Sequence, residues 1–108
     1  MKKNVISICV ITVLCVCVFA SGVLAQSATE WLEKAEMETD PNVQIDYYTK
    51  AIDLDSTYAD AYAGRGWVFS EEGDFDAALA DLDTALSLDE ESARAFMYRG
   101  VTYRRMDR

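Results

Sequence analysis

From residue 28 onward, apolar side chains recur every three or four positions, whereas residues 5 to 19 are apolar almost without interruption. Trp31, Leu32 and Ala35 form one stripe, and Ile45, Tyr48, Ile52 and Leu54 a second. Phe75, Ala78, Leu79, Leu82, Ala85 and Leu86 form another, and Phe96, Gly100, Val101 and Tyr103 the last. That spacing lines one face of a helix, and no segment shows the alternation of a half-buried strand. The start and stop signals agree. Ser27-Ala28-Thr29-Glu30 has capping-box spacing and opens a helix to about Glu38. Asp40-Pro41 puts an N-cap before a proline at the first helical position, opening a helix that ends near Asp55. Thr57-x-x-Asp60 is read as a third start, for a helix to about Glu72, and Gly73 stands where a left-handed C-terminal residue is wanted. Asp74 and Ser92 open the last two helices. The pattern predicts an all-α chain of about five antiparallel helices joined by short connections.

The stripes repeat at an offset of 34 residues. Tyr58-Ala59-x-Ala61-Tyr62-x-x-Arg65-Gly66-x-x-Phe69 overlays Ser92-Ala93-x-Ala95-Phe96-x-x-Arg99-Gly100-x-x-Tyr103. Ile45-x-x-Tyr48-x-x-Ala51-Ile52-x-Leu54-Asp55 overlays Leu79-x-x-Leu82-x-x-Ala85-Leu86-x-Leu88-Asp89. A period of this length with helical spacing inside it implies stacked helix pairs, each leaving an apolar face that the next pair buries. A glycine inside a helix costs roughly 1 kcal/mol relative to alanine. Gly66 and Gly100 at the same phase therefore point to close helix crossings, with Tyr62, Phe69, Phe96 and Tyr103 filling the space around them.

These residues resemble the tetratricopeptide repeat, whose unit is an antiparallel pair of helices, A and B. Tyr62 takes the first large position of helix A, Gly66 the small one and Phe69 the aromatic; Gly73-Asp74-Phe75 is the turn; Ala78 and Ala85 are the small residues of helix B. Arg65 replaces the usual leucine, and Ser56 and Glu90 stand where the family has proline. The resemblance implies a short open stack of α-solenoid type. Residues 26–57 form a degenerate repeat, 59–92 a full one and 93–108 a half repeat with helix A only. In strict register Gln44 falls in the place of Ala78; aligning Trp31 with Tyr62 and Ala35 with Gly66 instead needs a turn about four residues shorter.

Residues 1–25 stand apart from this domain at 26–108. A basic Met1-Lys2-Lys3, the apolar run and a small-residue end at Val23-Leu24-Ala25 read as a signal peptide cut before Gln26. The competing reading is an uncleaved anchor, since Val5 to Ala25 at ~1.5 Å per residue just crosses a ~30 Å core. The expected location is extracytoplasmic: secreted, periplasmic or at the cell surface, with membrane attachment only if the segment is retained. Cys9, Cys15 and Cys17 all lie in it, so the remainder has no thiol for a disulfide. All 19 acidic residues lie after residue 25, against eight of the ten basic ones. Gln26 to Glu91 is strongly acidic, while Ser92 to Arg108 sets Arg94, Arg99, Arg104, Arg105 and Arg108 against Asp107 alone. Phosphate repulsion argues against nucleic acid as a partner, and the acids are read first as a solubilising surface.

With no histidine and no cysteine after residue 17, the common nucleophile triads and transition-metal sites are excluded. The Asp-x-Asp pairs do not extend into a calcium loop. Gly64-Arg65-Gly66 lies mid-helix and is read as packing. No enzyme activity and no cofactor are expected. The family resemblance implies that helix A residues line a concave groove. These would be Asp60, Ala63, Trp67, Ser70 and Glu71 in the full unit, and Arg94, Met97, Val101, Arg104 and Arg105 in the last. Trp67 is equally readable as core between repeats. The family's clamp for acidic chaperone tails needs groove asparagines, and Asn42, in a turn, is the only one after residue 25. Two functions follow. One is an exported protein-interaction module that binds a peptide or helix in the groove. The other is a structural repeat fragment that self-associates through an open last helix presenting Phe96, Val101 and Tyr103.

Overall fold

The computed structural model describes residues 26–108, so the predicted leader at 1–25 lies outside the described residues. Five helices follow one another: α1 Ala28–Met37, α2 Pro41–Leu54, α3 Ala59–Glu71, α4 Phe75–Leu88 and α5 Ala93–Met106, with no strand among the described residues. None of these helices is long and apolar enough to cross a membrane. Each helix packs on its successor, and α3 also packs on α5.

The helix ends follow the capping residues. The Ser27 hydroxyl accepts from the Glu30 N–H, Asp40 from the Asn42 N–H, Asp74 from the Ala77 N–H and Ser92 from the Ala95 N–H. Gly73 has φ +85°, and around it the Asp74 N–H donates to Phe69 O at 2.9 Å and the Gly73 N–H to Ser70 O at 3.2 Å. This is the paired bonding of a Schellman motif, closed by the one residue type without a Cβ penalty there. The predicted Thr57 cap is corrected. Tyr58 precedes α3 and makes no side-chain cap, and Thr57 instead gives its N–H and hydroxyl to the Asp55 carboxylate at 3.0 and 2.7 Å. The same turn recurs 34 residues on, where the Glu91 N–H donates to the Asp89 carboxylate at 3.1 Å. The repeated Leu-Asp is thus an aspartate-built turn, which stops α2 and α4 without the family's proline.

The core lies in two clusters along the stack. Leu32, Ala35, Tyr48, Ala51, Ile52, Ala61 and Val68 form one; Ala63, Leu82, Ala85, Leu86 and Ala95 form the other, and Tyr62 packs against both. Alanines dominate both because helices approach closely where side chains are short. At Gly66 a Cβ would stand 3.0 Å from Leu82 Cγ and 3.1 Å from Ala78 O, which is the close crossing expected there. Ala35 is fully buried, and Gln44 donates its side-chain N–H to Ala35 O at 3.2 Å. The α1–α2 crossing therefore accommodates glutamine by using it as a donor. Gly100 differs from its repeat mate. Nothing lies within 4 Å of its Cβ position, and Phe96 and Tyr103 beside it are about half exposed rather than filling a crossing.

Candidate functional site

The odd-numbered helices share one side of the stack, and two sets of contacts tie them together there. At the first, the Trp67 ring of α3 stacks on Tyr98 of α5, with centroids 4.5 Å apart and planes inclined 29°. The Arg105 guanidinium lies 4.8 Å from the same Trp67 ring centre and donates to Ser70 Oγ at 3.2 Å. The Ser70 and Thr102 hydroxyls are 2.9 Å apart, and Thr102 Oγ lies 2.7 Å from Tyr98 O. Each hydroxyl has one proton, so a single arrangement makes every bond: Arg105 donates to Ser70, Ser70 to Thr102, and Thr102 back to the Tyr98 carbonyl. Thr102 and Ser70 are buried, and this chain satisfies them without water.

At the second set, Arg94 near the start of α5 reaches Glu36 near the end of α1 at 3.3 Å, a pair separated by 58 positions in sequence. Both side chains are nearly half exposed, so the pair contributes little energy but locates α1 beside α5. Beneath it Tyr48 of α2 is buried, its hydroxyl pushed up to about 12 first by burial, then by the Glu36 and Tyr98 charges, with Arg94 opposing. Tyr48 occupies the space over Gly64, where a Cβ would meet its ring carbons at 2.5 Å.

The residues predicted to line a groove fall into three groups. Trp67, Ser70 and Arg105 come together in the α3–α5 contact, and Trp67 is half-buried, joining that contact while keeping an accessible part. Ala63 and Ser70 are buried and present no side chain to a ligand; Ala63 belongs to the second core cluster. Asp60, Glu71, Arg94, Met97 and Arg104 are exposed, and Val101 is half-buried beside Met97's stripe. Of the residues expected on an open apolar face of α5, Phe96 and Tyr103 are exposed while Val101 is partly covered. Tyr98 and Glu36 escape the sequence reading, which places Tyr48 on a buried stripe without its partner Gly64. The available signal was reciprocal size at equivalent positions: Tyr48 faces Gly64 in one repeat, whereas Leu82 and Tyr98 share a cluster in the next.

The surface so built is amphipathic. An exposed methionine and a partly exposed tryptophan lie among acids toward the start of α3 and arginines toward the end of α5. Such a surface can hold a chain segment by apolar contact and charge pairing. Among the described residues no group of three or more His, Cys, Asp or Glu side chains is placed to hold a metal. A family model described as "Tetratricopeptide repeat" matches residues 47–80, from the middle of α2 through α3 into the first turns of α4.

Proposed function

We propose that this tetratricopeptide-repeat protein is an exported, non-enzymatic interaction module that binds a peptide or helix along the α1–α3–α5 side. Its repeat type is one that generally mediates protein–protein interaction. The observation that carries the finer reading is the placement of Trp67. It is held at the α3–α5 junction by Tyr98 and Arg105 and remains only half-buried. A rigid aromatic that loses little entropy on contact is a strong interface anchor. Met97 and Val101 extend the apolar strip, and Arg94 and Arg104 flank it with charge. Export is supported by the leader-like residues 1–25, which also hold every cysteine.

Met97 tests the groove more cleanly than Trp67, because it is 59% exposed and no fold contact depends on it. A photo-crosslinking residue at 97 should capture a partner in the native host, and the same residue at Ala80, an exposed position of α4, should not. Met97→Glu should weaken association at least about tenfold with unchanged helicity. Equal capture from positions 97 and 80 would remove the groove from consideration. Amino-terminal sequencing of the extracytoplasmic protein should begin at Gln26; a start at Met1 would mean retention as an anchor.

A further inference from the structure

We propose, resting on the reading of the α1–α3–α5 side as a groove, that its occupant is an extended peptide of divided charge. One end of that peptide is basic and the other acidic, with one apolar side chain between them at Trp67. The charges on this side of the protein are sorted by helix. On α1, Glu36 reaches α5 to hold Arg94, and Glu33 lies one turn back on the same face. On α3, Asp60 and Glu71 are exposed at opposite ends. The cations of these two helices are engaged elsewhere: Lys34 lies 4.8 Å from the Trp31 ring centre, and Arg65 is bound to Asp81. On α5 the sign reverses. Arg94 and Arg104 are exposed, Arg105 is half-buried on Trp67, and the helix contains no acid.

Helix stability does not account for this sorting. The start of a helix favours anions and its end favours cations. Glu36 stands in the last turn of α1, Glu71 is the final residue of α3, and Arg94 lies in the first turn of α5. All three stand against the local dipole. Solubility does not account for it either, since a surface that only solvates the fold intersperses both signs. Within the molecule the two fields already attract, through the Glu36–Arg94 pair. Glu33, Asp60, Glu71 and Arg104 hold no ion pair among the described residues and are open to a partner.

The sign changes across the helices and not along them. Asp60 and Glu71 mark both ends of α3, and Arg94 and Arg104 both ends of α5. A segment aligned with one helix would meet one sign, whereas a segment crossing all three meets both. Its apolar contact is narrow. A half-buried Trp67 and an exposed Met97 receive a single side chain, too little for the broad stripe of an amphipathic helix, so the segment is extended. Packed helices lie roughly 8–10 Å apart and an extended chain advances about 3.3 Å per residue, so it crosses one helix about every three residues. The pattern it fits is a basic residue, an apolar one about three positions on, and an acid about three positions beyond.

The probe is the synthetic peptide Lys-Lys-Ser-Leu-Ser-Glu-Glu with neutral blocked ends. Its control, Lys-Glu-Ser-Leu-Ser-Lys-Glu, has the same composition with the charges mixed. Each is titrated into isotope-labelled protein, and the indole N–H resonances of Trp67 and Trp31 are followed. The divided peptide should shift Trp67 saturably, at least about tenfold more tightly than the mixed one, and leave Trp31 in place. Glu71→Lys and Arg104→Glu should each weaken it at least about fivefold. The Glu71→Lys protein should keep or raise the parent's thermal midpoint, because a cation suits the end of α3. A lowered midpoint alongside the weakened binding would make Glu71 structural and overturn its assignment to the peptide. Equal shifts of Trp67 by both peptides would overturn the divided charge while leaving the groove standing. No shift of Trp67, or a shift of Trp31 alone, would also overturn it, and the groove itself is then decided by capture from position 97.

Discussion

Gly64 has no side chain, and the Tyr48 ring fills the space it leaves. This pair sets a competition between two energies. Alanine at 64 would gain roughly 1 kcal/mol of helix propensity. Its Cβ would also stand 2.5 Å from a ring that is itself buried and has little room to move. Overpacking of a closed site costs typically about 1–3 kcal/mol, so Gly64→Ala should lower the urea midpoint, whereas Gly100→Ala, which meets nothing, should raise it. The same tyrosine governs behaviour in alkali. Its hydroxyl titrates at about 12 in the folded chain against an ordinary 10.0, so the ionised form is disfavoured by folding. The sign follows: the stabilisation is complete below pH 10 and is lost as pH rises from about 10 to about 12. Tyr48→Phe should therefore flatten the fall of the urea midpoint across that window relative to the parent. Equal slopes in the two proteins would show that the hydroxyl is not held in its neutral form. Gly64 was legible as packing from its mid-helix position, but its partner was not, because that depends on the angle at which α2 crosses α3.

At the scale of helices, α3 and α4 are joined by an ion pair set into an alanine-rich crossing. Arg65 and Asp81 are four-fifths and nine-tenths covered, and the Arg65 pKa is raised first by the hydrogen bond to Asp81. Two parallel N–H···O bonds satisfy the carboxylate, but removing either charge strands the other. Asp81→Ala should cost about 3 kcal/mol, toward the lower end for a broken buried pair because Arg65 keeps some solvent. Arg65→Met combined with Asp81→Leu should recover most of that loss, since well-packed apolar groups replace a buried pair at little cost. Thermal or urea unfolding of the parent, Asp81→Ala and the double variant checks it, and a double variant no more stable than Asp81→Ala would show that the loss does not come from a stranded charge. The helix boundaries themselves were readable from Ser27, Asp40, Gly73, Asp74 and Ser92, all of which act locally. The start of α3 was misread because Thr57 has two possible partners. The Asp55 carboxylate, two residues back and already placed by the turn, wins over the amide of Asp60 ahead.

Across the whole stack, α1, α3 and α5 come to one side, joined by Arg94–Glu36 at one place and Trp67–Tyr98–Arg105 at another. The proposed partner surface exists only through that convergence, and Met97 tests it from an exposed position on α5. The sequence by itself determined the all-helical class, the number and order of the helices, most caps, the 34-residue register and the likeness to the family whose model matches residues 47–80. These rest on near-neighbour physics: helical periodicity, capping chemistry, and the need of a repeated unit to bury a repeated face. Only the tertiary structure decided which same-phase residues are used alike. Gly66 and Gly100 hold the same position of the 34-residue repeat, yet one lies in a tight crossing and the other faces open space. Ala63 and Ser70 carry the groove phase and are nevertheless buried, while Trp67 between them is shared between contact and solvent. The reason is physical. A repeat specifies what each face can hold, but occupancy depends on which helix is folded against it, and that is a property of the assembled stack.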